Sequence, residues 1–436
     1  MSINRMKLGA LLCVVAVGIA VAATAGAASQ GTPGVTDTNI LIGGTFPLTG
    51  PAQLYSTIPA AENAYYSWVN NHGQVHGRTI TLDIKDDQYN PSQTPALVKQ
   101  LVEQDHVFAI VGSLGTAPAL ATWNYLNGKG VPQSLLATGD AYWGLCGTSG
   151  AFKPVPGVCN TAKRWTIGWQ PDYPSEARVY AKYILAHNNS PKIGVLYQND
   201  AYGKNYLAGL KKGLGSANQG DIVDTESYNV GDSAQAIGAH IAAMYAHGAD
   251  TVVLFSTPTP SIQSLVALTA IGNAHNWHPT VFLNNVSANR VFLKAAENAG
   301  ANTDGVISTT YVDSYSINPN HDGMQLADQI ITATGNQALI NRFHAGDSNI
   351  VYGLAVAWTA VDALKRAGTA PTRGTYMKAL RTLNETGNNA NPFVYPGMDI
   401  KTDSLRTFPM QQLQLMKWDS SVHDWNTFGG VLNSGK

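Results

Sequence analysis

Along this chain, short runs of β-branched and apolar residues alternate with amphipathic stretches long enough for several helical turns, the pattern of repeated βαβ units around a mostly parallel sheet. Strands are expected at Ile40 to Gly43, Ile80 to Ile84, Val107 to Val111, Gln133 to Leu136, Ile193 to Tyr197, Ile222 to Tyr228, Thr251 to Phe255, Val281 to Leu283 and Val306 to Thr309. The helices between them carry ordinary punctuation: Ala60 to Asn71 ends at Gly73, Pro91 opens a helix that runs toward Gln104, and Ala117 to Asn127 stops at Gly128. Asp200 and Asp232 are placed to cap the N-termini of the helices that follow them.

The alternation breaks between Gly139 and Pro174, where Gly147, Gly150, Pro154, Pro156 and Gly157 read as an elaborated loop plus a crossover before a fresh βαβ series. Helices at Asn349 to Arg366 and Thr372 to Thr382 precede a strand-rich tail, Met410 to Trp418, with no helix after it. Such a tail must pair with a sheet formed earlier. The chain therefore crosses between two lobes more than once.

The N-terminus adds a destination. Arg5 and Lys7 precede an apolar run from Leu8 to Ala23 and the small residues Ala25-Gly26-Ala27-Ala28, the three-part form of a secretory signal spanning residues 1–28. A retained anchor is the competing reading, but the core is short for a spanning helix. Cys13 lacks the small residue that lipid-attachment signals place before their cysteine, so a lipoprotein is disfavoured. The expected location is the periplasm or another extracytoplasmic space. With Arg5 and Lys7 gone from the 27 Lys and Arg, against 28 Asp and Glu, the net charge is about −3, and nothing in that balance asks for nucleic acid or an anionic membrane. Two cysteines, Cys146 and Cys159, then remain around the Gly- and Pro-rich loop, and in an oxidising compartment a disulfide between them is expected.

Candidate chemistry starts at Val107 to Pro118, a buried strand breaking at Gly112 into Ser113, Leu114, Gly115 and Thr116 just where a helix begins. The first N–H groups of a helix lack internal partners and sit at the positive end of its dipole, so a carboxylate finds several donors there. Taken alone, such a turn is also ordinary α/β punctuation. Enzyme signatures are missing: there is no nucleophile elbow, no phosphate-binding Gly-x-x-x-x-Gly-Lys and no His-Glu-x-x-His. His275 and His278 form a close pair for which no third metal ligand can be named, and neither metal nor cofactor is expected.

Five stretches in order, Ile42 to Pro51, Asp86 to Pro91, Gly112 to Pro118, Leu136 to Thr138 and Gln198 to Gly203, give the region from Asn39 to about Trp425 its resemblance to a known family. It resembles the solute-binding proteins of ABC importers, the branched-chain amino acid and amide (leucine-binding protein-like) type with the type I periplasmic binding fold. The resemblance implies α/β architecture: two Rossmann-like lobes with mostly parallel sheets, joined by three hinge crossovers near Trp169 to Pro171, Thr309 to Val312 and Tyr395 to Gly397. Lobe 1 would be residues 36–168 with 312–394, and lobe 2 residues 169–311 with 395–432. Carboxyl ends of the strands would face the ligand cleft.

In such relatives a hydroxyl after the third strand and a backbone N–H and Thr after the fourth hold the ligand carboxylate; the matching residues are Thr116, Ala137 and Thr138, with Ser113 close by. Tyr202 matches a ligand contact from lobe 2. The chain departs where an ammonium is usually held, because Phe255-Ser256-Thr257-Pro258 replaces a tyrosine-bearing segment and Leu283-Asn284-Asn285-Val286 offers no carboxylate. Ser256 and Asn285 are the candidate contacts left at those two turns, and a buried ammonium without a charge partner is costly. Asp140 or Asp172 would have to supply the acid, if they are not surface or capping residues. Tyr55, Tyr142, Trp143, Trp169 and Tyr173 crowd the same region; facing the cleft, they imply a carboxylate or amide with a flat or greasy body, while packing of Trp143 and Trp169 onto their lobe is the plainer reading. The implied role is a monomer that closes on a small solute, an amino acid, amide or aromatic or aliphatic carboxylate, and presents the closed form to an ABC permease. The alternative is a sensing module that presents it to a receptor kinase.

Overall fold

A computed structural model describes residues 31–144, 164–403 and 408–433 of the chain. The expected signal, residues 1–28, and the Cys146–Cys159 pair lie outside the described residues.

Two sheets organise the molecule. The first is wholly parallel: β1 (Asn39–Phe46), β2 (Thr79–Asp86), β3 (Ile110–Val111), β4 (Gln133–Leu136) and β5 (Thr166–Gly168), in the order β2-β1-β3-β4-β5. The connecting helices are α1 (Thr57–Asn71), α2 (Thr94–Glu103) and α3 (Thr116–Lys129). After α4 (Tyr173–His187), the second sheet is built from β6 (Ile193–Gln198), β7 (Ile222–Tyr228), β8 (Thr251–Phe255), β9 (Thr280–Leu283) and β10 (Ile307–Thr310), with α5 (Ala201–Asn218) following β6. A two-strand ribbon, β11 (Asn384–Glu385) with β12 (Ile400–Lys401), intervenes before β13 (Gln412–Asp419) and β14 (Asp424–Asn433) complete the second sheet in the order β14-β13-β10-β9-β8-β6-β7.

Hydrophobic runs buried on both faces explain the parallel pairing, since helices must cover both sides of such a sheet. All five residues of β8 and all four of β4 are buried. The tail strand pairs with an earlier sheet as its pattern requires: β13 runs antiparallel to β10, with Thr309 opposite Leu415. Four strands escaped the sequence reading, the two-residue β11 and β12 among them. Thr166–Gly168 sits inside the stretch read as loop, three residues being too few to show a period, and β14 forms a hairpin with β13. The helices Asp322–Thr332 and Gln337–His344 were also not anticipated. Asp200 caps α5 by accepting from Gly203 N at 3.3 Å. Asp232 does not cap its helix. Ser233 does, accepting from Ala236 N at 3.2 Å, while Asp232 accepts from Asn229 N at 2.7 Å and closes the preceding turn.

Behind the first sheet, α1 packs on the late helix Ser348–Arg366. Gly353 permits the close approach, because a Cβ there would lie 2.4 Å from the Ile58 carbonyl. Ile350, Leu354, Val361 and Leu364 are buried around that contact, each contributing roughly 1.5–3 kcal/mol by leaving water. Three stretches pass between the sheets side by side. Tyr395 N donates to Tyr311 O and Asp313 N to Phe393 O, both at 3.0 Å, and Met410 N donates to Trp169 O at 3.1 Å. Pairing of β12 with β11 and a 2.8 Å bond from Leu383 N to Thr402 Oγ1 hold residues 400–402 beside residues 383–385, and β13 begins in the second sheet at Gln412.

Candidate functional site

The carboxyl ends of the strands in both sheets, the three crossing stretches and the start of helix Ser348–Arg366 enclose a cavity of about 870 Å³, counting its open mouth. Tyr55, Tyr89, Leu114, Gly115 and Ala137 come from the first-sheet side; Tyr202, Thr257, Asn285, Val286 and Asn289 come from the second. Gln170, Tyr173, Tyr311, Val312 and Asp313 enter from the crossings, and Ser348, Asn349 and Tyr352 from the helix. Apolar rings with a few fixed donors and acceptors are the usual makeup of a small-molecule site.

On the first-sheet side the chain turns through Gly112 and Gly115, at φ of 69° and 108°, a region open chiefly to glycine. Gly115, the N-cap of α3, lines the cavity, and no side chain caps that helix. Thr116 and Thr138 are buried with their hydroxyl oxygens 2.6 Å apart, and Tyr173 OH donates to Thr138 Oγ1 at 3.4 Å. The two threonines are thus brought together as the sequence suggested, but Tyr173 stands between them and the open space; neither lines the cavity. Ala137 does line it, yet its N–H is already donated to Ser113 O at 3.0 Å. Ser113 Oγ accepts from Thr45 N at 2.9 Å and also lies outside the lining.

Across the cleft, burial and hydrogen bonds compete at Glu176. Its Oε1 accepts from Tyr180 OH at 2.5 Å and from Asn285 N at 2.6 Å, and its Oε2 from Tyr206 OH at 2.6 Å. Full burial pushes this carboxyl above its ordinary range, and those donors pull it back. Asn285 Nδ2 donates to Thr309 O at 2.5 Å. Next to it, Asn284 donates to Ser256 O at 3.0 Å and Leu254 O at 3.2 Å while accepting from Tyr202 OH, which fixes the Tyr202 ring in the cavity wall. Tyr202 meets Tyr173 edge-on at a centroid distance of 5.0 Å. Ser256 is not part of the lining; its hydroxyl lies 2.7 Å from Ser261 Oγ.

The two candidate acids are both occupied as caps. Asp172 accepts from Ser175 N at 2.8 Å and from Ser175 Oγ at 2.5 Å at the start of α4. Asp140 accepts from Tyr142 N at 2.8 Å and, across the two sides, from Asn205 Nδ2 at 3.1 Å; burial pushes its pKa up to about 7. Two other charged residues line the cavity, and both are paired. Asp313 accepts from Asn318 Nδ2 at 2.6 Å and sits 2.8 Å from His321 Nδ1, while Arg290 is 3.1 Å from Asp424 and donates to Ala345 O at 2.8 Å. Tyr142 and Trp143 pack on Trp123, with Trp143 buried, and Trp169 is buried behind Tyr352 with its indole N–H on Thr359. Among the aromatics singled out in the sequence, Tyr55, Tyr173 and Tyr202 reach the cavity.

Sequence reasoning missed Gln170, Glu176, Tyr311 and Tyr352. Glu176 reads as a plain first-turn acid of a helix, and only the approach of Asn285 turns it into an organiser of the site. Tyr352 OH donates to Gln170 Oε1 at 3.1 Å, joining residues 182 apart in sequence. No group of three or more His, Cys, Asp or Glu side chains among the described residues is placed to hold a metal ion, and no helix among them is long and apolar enough to cross a membrane.

Residues 39–422 match the sequence profile of the family described as periplasmic binding protein. A Leu/Ile/Val-binding protein homolog 3 from Brucella melitensis is 26% identical over 235 residues, a match spanning 54% of this chain and 57% of that protein's length. Among solved structures, a branched-chain amino acid ABC transporter protein from Thermus thermophilus with bound valine superposes with a TM-score of 0.75 at 16% identity, covering 92% of this chain and 97% of that one. A solute-binding protein from R. palustris in complex with 4-hydroxybenzoate gives a TM-score of 0.72 at 16% identity, covering 91% and 98%.

Proposed function

Because this chain belongs to the periplasmic binding protein family, we propose that it is the extracytoplasmic solute-capturing component of an ABC importer, closing two lobes on a small carboxylate- or amide-bearing solute. In this reading lobe 1 is residues 36–168 with 312–394 and lobe 2 is 169–311 with 395–432, except that β12 stays with lobe 1 through its pairing with β11, and the three crossing stretches flex. The carrying observation is a cavity lined from both sides and bridged by hydrogen bonds between them. Tyr55 OH donates to Val286 O at 3.2 Å, Asn205 Nδ2 to Asp140 Oδ2 and Ala141 N to Asn205 Oδ1, both at 3.1 Å. Bonds of this kind exist only when the lobes meet, so a solute that adds further contacts to both lobes shifts the population toward closure.

The lining favours a compact solute with an apolar or aromatic body. Tyrosine rings supply apolar area, and the Gln170, Asn285 and Asn289 amides supply polar contacts for a carboxylate or amide. Thr116 and Thr138 act through Tyr173, whose hydroxyl they orient. Glu176 is filled by three donors and offers an α-ammonium nothing, while Asp313, whose Oδ2 lies 2.8 Å from His321 Nδ1, is the acid of the lining that an amine would meet. Valine and 4-hydroxybenzoate, bound by the two relatives above, bracket this class.

The test is mass spectrometry of the solute released by mild denaturation, followed by calorimetry with branched-chain amino acids, aromatic acids and amides and by small-angle scattering with and without the best binder. Saturable binding with a more compact scattering profile is the expected result. Failure of the whole panel to bind, with an unchanged profile, would remove the proposal.

A further inference from the structure

Beside the main cavity lies a second hollow, open to solvent, lined by residues 50–54 from one side of the cleft and by Val230, Asp232 and Pro260 from the other. Tyr89 and Thr257 line both spaces. The Tyr89 ring is buried and pressed on the backbone of Gly115, where an added Cβ would lie 2.7 Å from its Cε2. Its hydroxyl accepts from Gln198 Nε2 across the cleft at 3.5 Å, and Gln198 Oε1 in turn accepts from Tyr228 OH at 3.0 Å.

The loop that carries this ring is held in place independently. Gln88 and Tyr89 have φ of 54° and 60°, left-handed values that cost a non-glycine residue energy unless its surroundings enforce them. The enforcement is visible: Asp87 accepts from Tyr89 N at 3.0 Å and from Thr94 Oγ1 at 2.9 Å, and Asp86 accepts from Gln88 N and Leu48 N, both at 3.0 Å. An aromatic ring fixed in this way, between two hollows and touching both sides of the cleft, is a partition.

We propose that Tyr89 limits the length of the solute, confining it to the inner cavity, and that the outer hollow becomes an apolar extension of the site when the ring is removed. The inference rests on the inner cavity being the solute site. Pro51, Ala52, Leu54, Val230 and Pro260 give the outer hollow the character to take an alkyl tail.

The probe is 11-(dansylamino)undecanoic acid, a fluorescent carboxylate with a long alkyl chain, titrated into the wild type, Tyr89→Phe, Tyr89→Leu and Tyr89→Ala, with valine and 4-hydroxybenzoate run in parallel and circular dichroism melts as the folding check. Tyr89→Ala is expected to bind the probe at least about tenfold more tightly than the wild type, a gain that two buried methylenes suffice to give. Tyr89→Leu, which keeps an apolar contact with Gly115 and guards against misfolding of the alanine variant, should fall between, and Tyr89→Phe should exclude the probe as the wild type does. Equal probe binding by all four proteins, or no gain in the folded Leu and Ala variants, overturns the partition. If compact solutes fail on the wild type while Tyr89→Ala still gains the probe, the partition stands and the reading of the inner cavity as the solute site falls instead.

Discussion

The two walls of the cleft are built on different principles. The first-sheet wall ends in neutral hydroxyls, Thr116 and Thr138, which bond one another and Tyr173 and can each donate or accept. The second-sheet wall is organised around one carboxylate, Glu176, whose oxygens are committed to Tyr180, Tyr206 and Asn285. Hydroxyls that can reverse their donor sense suit a layer behind Tyr173, the residue that lines the cavity; a buried acid with fixed donors suits a scaffold that keeps the opposing turn in place.

The largest expected effect tests the scaffold. Glu176→Leu leaves the buried Tyr206 phenol and the Asn285 N–H without their acceptor, while Tyr180 OH keeps Leu283 O at 2.9 Å; the loss should cost about 3 kcal/mol and lower the melting temperature on the order of 6 °C. A melt close to wild type in calorimetry would show that this wall does not depend on the carboxylate. Next comes Asp140, at the outer end of the first wall, where burial raises the pKa from the ordinary 3.8 to about 7. The folded state then holds a proton that the unfolded state releases, so the stability this group contributes is complete below about pH 4 and is lost as pH rises through about 7. The slope is at most about 1.4 kcal/mol per pH unit. Asp140→Asn should flatten the melting profile in that window, and an unchanged profile would mean that Asp140 ionises freely in the fold.

A smaller effect sharpens the account of the first wall. Thr116→Val and Thr138→Val should each cost about 1 kcal/mol by stranding the partner hydroxyl, and the double variant should cost less than their sum. Strict additivity in denaturant titrations would argue against a shared bond. Smallest is Tyr55→Phe, which removes the bond to Val286 O from the closed form. Solute affinity should fall by about 0.5–1 kcal/mol, with the unliganded melt unmoved.

What could be read in advance follows from the range over which each signal acts. β6 and β8 were legible because buried Val, Ile and Leu runs announce themselves within a few residues, and the positions at their carboxyl ends followed from the topology of parallel sheets. The same logic brought Thr116 beside Thr138, though it gave no hint that Tyr173 would cover the pair. Ser233 outcompeted Asp232 as a cap because two adjacent polar residues differ only in which one the turn at Asn229 claims. Gln170, Tyr311 and Tyr352 lie in crossings or at the start of a helix far along the chain, and nothing local marks a tyrosine there as facing a cavity instead of a core.

The contact between α1 and helix Ser348–Arg366 has a consequence for biogenesis. The apolar face of α1 is synthesised almost three hundred residues before the helix that covers it, and the second sheet likewise waits for β13. Neither half of the molecule can bury its interior while the ribosome is still working through the middle of the message. Premature stops before about residue 350 should therefore yield aggregation-prone fragments that proteases clear.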